Sequence, residues 1–481
     1  MESEQLLGLV EKVRQLKCET QTVEVKAAHE GCPKSLFDSL SAFSNQDDGG
    51  TLLFGLDEKS GFEVVGVYDA QDLQKHVVEQ CNQMSPPVRP LFTVCDIDGN
   101  IVVSAEIPGA DITDRPVYYR GKGKVKGSYI RVGEADEPLS AYEVYSYDAY
   151  RRRIRDDIRE TDTSVSQLDA EQLGAYIAAV KNNKPNTAKL TDEEILELMS
   201  IIKTGKPTLA GVLCFSKYPQ ASFPQLCVTA VVIPGTEMGE SGADGARFLD
   251  NKRIEGTIGE MLEDSIAFVR RNMREKTIVD GDGKRSDKTE YPIMAIREAV
   301  LNALMHRDYS IHTEGTPVRI LMFNDRIEIK NEGGLYGKLT LETLGKTHAD
   351  TRNQTLTNIL EILKIAENRY SGIPTIRAAM REYKLPEPVF EARSGSFTVT
   401  LKNGTGYYKR KGDYYSTEID LELLEIFCRE PRSRAEISQH LGLSQYYAMK
   451  MVVAPLLESG ELRMTIPDKP KSRNQKYYSV I

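Results

Sequence analysis

The sequence predicts an α+β protein of several domains, and three observations point that way. The chain has 481 residues, room for about three separate cores. Apolar residues make up 40% and charged residues 28%, the balance of an ordinary globular protein. Period-two runs alternate with helical stretches as far as about residue 402. From about residue 418 the pattern changes to short helices followed by a two-stranded hairpin.

The same composition excludes several function classes. The net charge is −9, so no global field draws in nucleic acid, and any such binding must use local patches. The seven cysteines are scattered, with no CxxC pair, as expected of reduced cytoplasmic thiols and of a chain without a zinc site. No apolar run approaches a membrane span, and the Glu- and Lys-rich start does not read as a signal peptide. No GxxxxGK[ST] loop is present, so Asp192-Glu193-Glu194 is no helicase box. Thr191 and Glu194 make a helix capping box instead.

Taken in order, residues 3–17 predict an amphipathic helix with Leu6, Leu9, Val10, Val13 and Leu16 inward. Residues 18–26 alternate as a strand. A helix over 33–43 and a buried strand over 51–57 follow, then a helix over 72–84 stopped by Pro86-Pro87. A hairpin turns at Asp98-Gly99-Asn100, and a last strand spans 128–132. The first domain is placed at 1–147 and a helical connector at 148–206. Further on, strands are expected at 208–215 and 225–234, a strand and a long helix within 248–272, and a short helix from Leu341.

The central stretch carries the chemistry. Residues 297–309 read as helix, and Glu298, Asn302 and His306 recur at a spacing of four on one face beside an apolar stripe. Glu can orient a water, the Asn oxygen can ligate a hard cation, and Mg²⁺ bridges phosphates while keeping some waters. Strands over 318–323 and 326–330 follow, joined at Asn324-Asp325, and Asn331-Glu332-Gly333-Gly334 ends the second. Two glycines at a strand end allow close approach of a ligand to the backbone. The start of a helix near Arg352 offers N–H groups to an anion.

The helix with Glu298 and Asn302, the hairpin and the glycine turn together resemble the Bergerat ATP-binding fold. More closely, they resemble a bacterial family in which a Schlafen-type AlbA-like domain precedes a divergent Bergerat domain, often with a winged helix behind. The resemblance implies ATP and Mg²⁺ as cofactors. Asn302 would hold the metal and Glu298 would be the general base, while His306, Asn331, Gly333, Gly334 and Gly372 would line the nucleotide. The chain departs from the pattern at Asn331, where an Asp is usual, and at 368–373, where one glycine stands in place of a second glycine box. Binding is therefore implied more directly than hydrolysis.

The line from Ser41 to Asn45, followed by residues 49–57, resembles the Schlafen-type AlbA-like domain. Such domains bind nucleic acid, and some cut RNA with two Glu and an Asp. Glu19, Glu24 and Asp57 stand at those positions and would hold Mg²⁺ or Mn²⁺. On a straight strand Glu19 and Glu24 face opposite ways, so they converge only if the chain bends near Thr20. The alternative is an exposed strand edge with solvated charges. A basic run of Arg120, Lys122, Lys124, Lys126 and Arg131, with Tyr118, Tyr119 and Tyr129 interleaved, could meet phosphates and stack bases, or be a solvated hairpin tip.

Residues 418–481 follow the winged helix-turn-helix pattern. Gln445, Tyr446, Tyr447 and Lys450 would face the major groove, and Arg463, Lys469, Lys471, Arg473 and Lys476 would give the wing its charge. Such a domain can also serve protein contacts. The expectation is a cytoplasmic, homo-oligomeric transcriptional regulator that binds ATP and nucleic acid, DNA first and RNA second. A metal-dependent endonuclease acting in defence, and an assembly protein with a dead nucleotide site, are the alternatives.

Overall fold

The computed structural model describes the chain except residues 243–244, 280–284, 348–349, 367–371, 394, 405–423, 425–426, 442–444, 446–447, 459, 468, 471, 473–474 and 480–481. Four strands form the first sheet in the order Val23–Lys26, Gly50–Phe54, Asn100–Ile107, Leu91–Ile97, and only the first pair is parallel. Alternation decides its two faces. Leu52, Phe54, Val103 and Ala105 pack under the helices Phe37–Ser44 and Ala70–Cys81, while Leu53, Val25 and Val102 meet the helix Ser3–Leu16 through Leu6, Val10 and Val13. Leu16, expected inward, is 52% exposed because the helix ends there, with Lys17 in the left-handed region. Of the strand expected over 18–26 only Val23–Lys26 forms, since Thr20 and Val23 exchange backbone hydrogen bonds and close a tight turn.

A helix Ala141–Arg152, capped by a Ser140–Glu143 box, leads out of this domain. The segments that follow are not a free connector. Leu173, Tyr176 and Val180 of the helix Ala170–Asn183, and Ile195 of the helix Asp192–Leu198, lie in the same core as the central sheet. Residues 208–215, expected as a strand, form the helix Leu209–Phe215. The Thr208 hydroxyl accepts the Gly211 N–H as an N-cap, and all seven helical residues are buried, which hides the amphipathic period.

The central sheet has six strands in the order Asp250–Ile254, Val228–Val232, Val318–Met322, Arg326–Glu332, Ser396–Lys402, Val389–Arg393. Val228–Val232 and Val318–Met322 are parallel and the other neighbours antiparallel. Val228, Ala230, Val318, Ile320, Ile327 and Ile329 are buried on one face. The helices Ile258–Asn272, Ile293–His306, Gln354–Ile362 and Gly372–Glu382 join that core, a two-layer α/β arrangement. Residues 341–346 are turns rather than the expected short helix, with Thr340 and Thr343 bonded to each other in place of a first helical turn.

Near the C-terminus the strands Arg432–Ser433, Lys476–Ser479 and Leu462–Met464 form a small antiparallel sheet. The helix Arg434–Leu441 and the helical run Ala448–Glu458, whose first part is π-helical, pack with it around Leu424, Ile437, Val452, Val453 and Tyr477. Among the described residues no helix is long and apolar enough to cross a membrane.

Candidate functional site

The helix Ile293–His306 is held at its C-terminal end by Asn353. Its Nδ2 donates to the carbonyls of Met305 (2.9 Å) and Arg307 (2.8 Å), which the helix leaves unpaired. That fixes Glu298, Asn302 and His306 on one face. Opposite them the helix Gly372–Glu382 begins. A Cβ at Gly372 would lie 2.9 Å from Asn302 Nδ2 and 3.1 Å from Glu298 Oε2, so only glycine leaves this approach open. Asn302 Nδ2 is buried and has no hydrogen-bond partner among the described residues. An unpaired buried amide is costly, and a ligand oxygen would satisfy it.

Asn331 lies on the buried face of the strand Arg326–Glu332, in line with Ile327 and Ile329. Its Nδ2 donates to the Glu332 carbonyl at 3.0 Å, so the amide holds the strand end and presents its oxygen elsewhere. Gly333 is left-handed (φ 97°), and a Cβ there would strike Arg352 Nη1 and the Asp308 N–H. Its freedom admits the protein's own backbone, because Asp308 N–H bonds the Glu332 carbonyl at 2.8 Å. Gly334 has open space around it, and His306 Nδ1 lies 3.5 Å from Thr351 Oγ1.

Asp308, which the spacing does not single out, completes this end of the site together with Arg352. Asp308 is 3% exposed. Its Oδ2 accepts the Tyr142 hydroxyl at 2.6 Å and faces Arg352 Nη1 at 3.0 Å, and its Oδ1 accepts the Ser310 N–H. Burial raises the carboxyl, but Arg352, Tyr142 and Ser310 outweigh it and hold it below the usual range. The helix start near Arg352 has already found its anion. Asp157 Oδ2 accepts the N–H groups of Thr355 (2.7 Å) and Leu356 (3.3 Å).

In the first domain the turn at 20–23 does bring Glu19 and Glu24 together, around Arg131. Its guanidinium donates to Glu19 and Glu24 at 3.1 Å and to Asp136 at 2.9 Å, and Lys26 Nζ lies 2.5 Å from Glu24. Burial, and after it the neighbouring Glu24, raises Asp136; burial likewise raises Glu19, against the Val25 N–H. Arg131, read in the sequence as part of a basic surface, is therefore 3% exposed and stands where a cation would. Asp57 is apart from this cluster, capping a short turn through the Lys59 N–H at 3.2 Å. No group of three acidic, His or Cys side chains arranged for a metal occurs among the described residues.

The basic run is largely spoken for. Arg120 donates to the carbonyls of Met84 and Asn82, Lys122 reaches Asp38, and Lys124 reaches Asp148. Tyr119 stacks on Phe37 at 3.7 Å, while Lys126 is exposed. In the C-terminal unit Gln445, ahead of the helical run, and Lys450, on it, are exposed, and Arg463, Lys469 and Lys476 lie exposed on or beside the hairpin. Tyr446, Tyr447, Lys471 and Arg473 lie outside the described residues.

Residues 19–140 match the family model described as "Schlafen, AlbA_2", and residues 315–401 the one described as "Putative ATP-dependent DNA helicase recG C-terminal", an ATPase-like (HATPase_c_4) domain. Residues 148–229 match a domain of unknown function. Residues 421–478 match the model described as "Filamentation induced by cAMP protein Fic-like, C-terminal domain". No curated protein matches the chain. Among solved structures, the DIP2311 protein from Corynebacterium diphtheriae is 20% identical over 94% of this chain and 92% of that one, with a TM-score of 0.40. The N-terminal domain of a RecG-related protein from Nitrosomonas europaea is 26% identical over 28% of this chain and 92% of that one, with a TM-score of 0.24. The chain thus carries a region similar to the Schlafen AlbA_2 domain at residues 19–140 and one similar to the RecG-related HATPase_c_4 domain at residues 315–401.

Proposed function

We propose that this protein is a nucleotide-responsive, nucleic-acid-binding regulator, with ATP·Mg²⁺ held in the central domain and nucleic acid contacted by the two ends. The observation that carries the reading is the pairing of Glu298 with a buried, unpartnered Asn302 amide across from Gly372. Those groups fit a nucleotide's phosphates and their cation. The amide offers two N–H donors and an acceptor oxygen, and Glu298 adds a carboxylate. Bound there, Mg²⁺ would supply charge neutralisation of the phosphates. Asn302 and Glu298 would orient it, and Gly372 would leave room for it.

At the C-terminal end, the helical run before the hairpin and the exposed Arg463, Lys469 and Lys476 support a winged helix whose wing meets phosphates. At the other end, exposed Lys126 adds to the AlbA_2 family match. A nucleotide can change the disposition of these ends only by binding two arrangements unequally.

Titration of the full chain with ATP·Mg²⁺ by calorimetry tests the reading. Wild type should bind, and Asn302→Ala should weaken binding by about tenfold or more, the loss of a contact to a charged group. In parallel, affinity for duplex DNA should change when ATP is added and should fall as salt rises. No heat from wild type, or equal affinity in Asn302→Ala, ends the nucleotide reading of this site.

A further inference from the structure

We propose that a second site, between the helix leaving the first domain and the central domain, binds a phosphate-class anion and fastens the two together. A cavity of about 220 Å³ opens there, lined by Arg153, Arg155, Tyr336, Thr351, Arg352 and Gln354. Three guanidinium groups reach it from segments far apart in the chain. Arg153 and Arg155 follow the helix Ala141–Arg152, and Arg352 precedes the helix Gln354–Ile362. Converging arginines present many N–H donors to one space, more than one carboxylate apiece can take.

The acids nearby balance the charge of these groups but leave N–H donors unused. Arg153 meets Asp350 at 3.3 Å, Arg155 meets Asp157 at 3.4 Å and Arg352 meets Asp308 at 3.0 Å. Each acid has other work: Asp350 accepts the Tyr150 hydroxyl, Asp157 caps the helix, and Asp308 accepts Tyr142 and Ser310. A guanidinium carries five N–H donors in a fixed fork. Arg155 Nε is buried with no partner, although Nη2 of the same residue donates to Thr355 Oγ1 at 2.5 Å. Arg352, only 7% exposed, keeps its plane against the Tyr336 ring, 5.2 Å from its centroid. Planar forks held from several sides are suited to a tetrahedral oxyanion, which accepts paired hydrogen bonds from each.

The cavity is smaller than those that take whole drug-sized ligands, so its occupant is a compact group such as phosphate or diphosphate. Glu298, Asn302 and Gly372 do not line it, so the site stands whether or not Asn302 binds nucleotide. The group could arrive as a free anion or as the tail of a nucleotide, and the chemistry of recognition is the same. Because Arg153 and Arg155 come from one side and Arg352 from the other, an occupant restrains the connector against the core.

Calorimetry on the full chain with inorganic pyrophosphate tests this, with Arg153→Gln, Arg155→Gln and Asn302→Ala as variants. Arg153 is 61% exposed in its side chain, so its replacement leaves packing intact, and an unchanged melting temperature checks that. Pyrophosphate should bind wild type, bind each arginine variant about tenfold more weakly, and bind Asn302→Ala as it binds wild type. Competition by ATP·Mg²⁺ identifies a nucleotide tail as the source, and its absence a free anion. Bound pyrophosphate should also slow amide exchange over residues 153–158 and 351–356. Absence of binding to wild type, equal affinity in both arginine variants, or unchanged exchange on binding overturns the proposal.

Discussion

Asp308 shows how one side chain can tie three segments together. It receives Tyr142 from the helix leaving the first domain, faces Arg352 from the segment before the helix Gln354–Ile362, and follows closely on the helix that carries Asn302. Its folded pKa lies below the ordinary value, so the ion pair contributes stability at neutral pH and loses it as pH falls through that lowered value. Replacing it by Asn keeps an acceptor for Tyr142 but leaves Arg352 buried without a counter-charge. Asp308→Asn should therefore destabilise the protein by about 3–5 kcal/mol at pH 7. The gap to wild type should shrink only at pH below about 4, where an unfolded Asp also takes up its proton. Urea unfolding of both proteins at pH 7, 5 and 3.5 measures the gap. A gap that narrows already at pH 5 would show that another group is responsible. Arg131 makes a similar point in the first domain, since three carboxylates gather around a guanidinium that the sequence presents as one more surface cation.

Among the elements, the pair of helices Ile293–His306 and Gly372–Glu382 sets what the site can hold. The first of them was legible, because the spacing of Glu298, Asn302 and His306 depends only on helical period and no helix breaker interrupts it. The place of Gly372 was named by resemblance, but its distance from Asn302 depends on how two helices pack, which no local pattern encodes. The helix Leu209–Phe215 misled for a related reason: it is buried on every side, so a short apolar run with Val and Phe reads as strand. The convergence of Glu19 and Glu24 hinged on a turn at Gln21-Thr22 that carries neither glycine nor proline. Packing at Gly372 gives a prediction in which stability and binding separate. A methyl there meets the movable end of the Asn302 side chain rather than backbone, so Gly372→Ala should change the unfolding free energy by less than about 1 kcal/mol. The same methyl fills the space between Asn302 and Glu298, and ATP·Mg²⁺ affinity should fall by about tenfold or more. A fold that collapses, or an affinity left intact, contradicts this account of the helix pair.

At the scale of the whole molecule, the contacts of the first domain and its exit helix with the central domain are, among the described residues, hydrogen bonds, an ion pair and aromatic edges. Tyr142 bonds Asp308 and packs over Gly395, Tyr150 stands edge-on to Tyr336 above Gly337, and Lys338 pairs with Asp111 at 2.7 Å. Such a boundary can be held by one or two strong hydrogen bonds, and relative motion is the ordinary expectation when the rest is weak. The Tyr142 hydroxyl is the shortest of these bonds, at 2.6 Å, and its acceptor is charged. Tyr142→Phe removes it while leaving the ring on Gly395. It should cost about 1.5–3 kcal/mol of docking free energy without unfolding either domain, because neither core contains that hydroxyl. Hydrogen exchange should therefore quicken along the helix Ala141–Arg152 and the segment 333–340, while the sheet strands Gly50–Phe54 and Val318–Met322 keep their protection. Loss of protection in both sheets as well would mean the hydroxyl serves global stability. Unchanged exchange at the boundary would mean that the other contacts hold the domains by themselves.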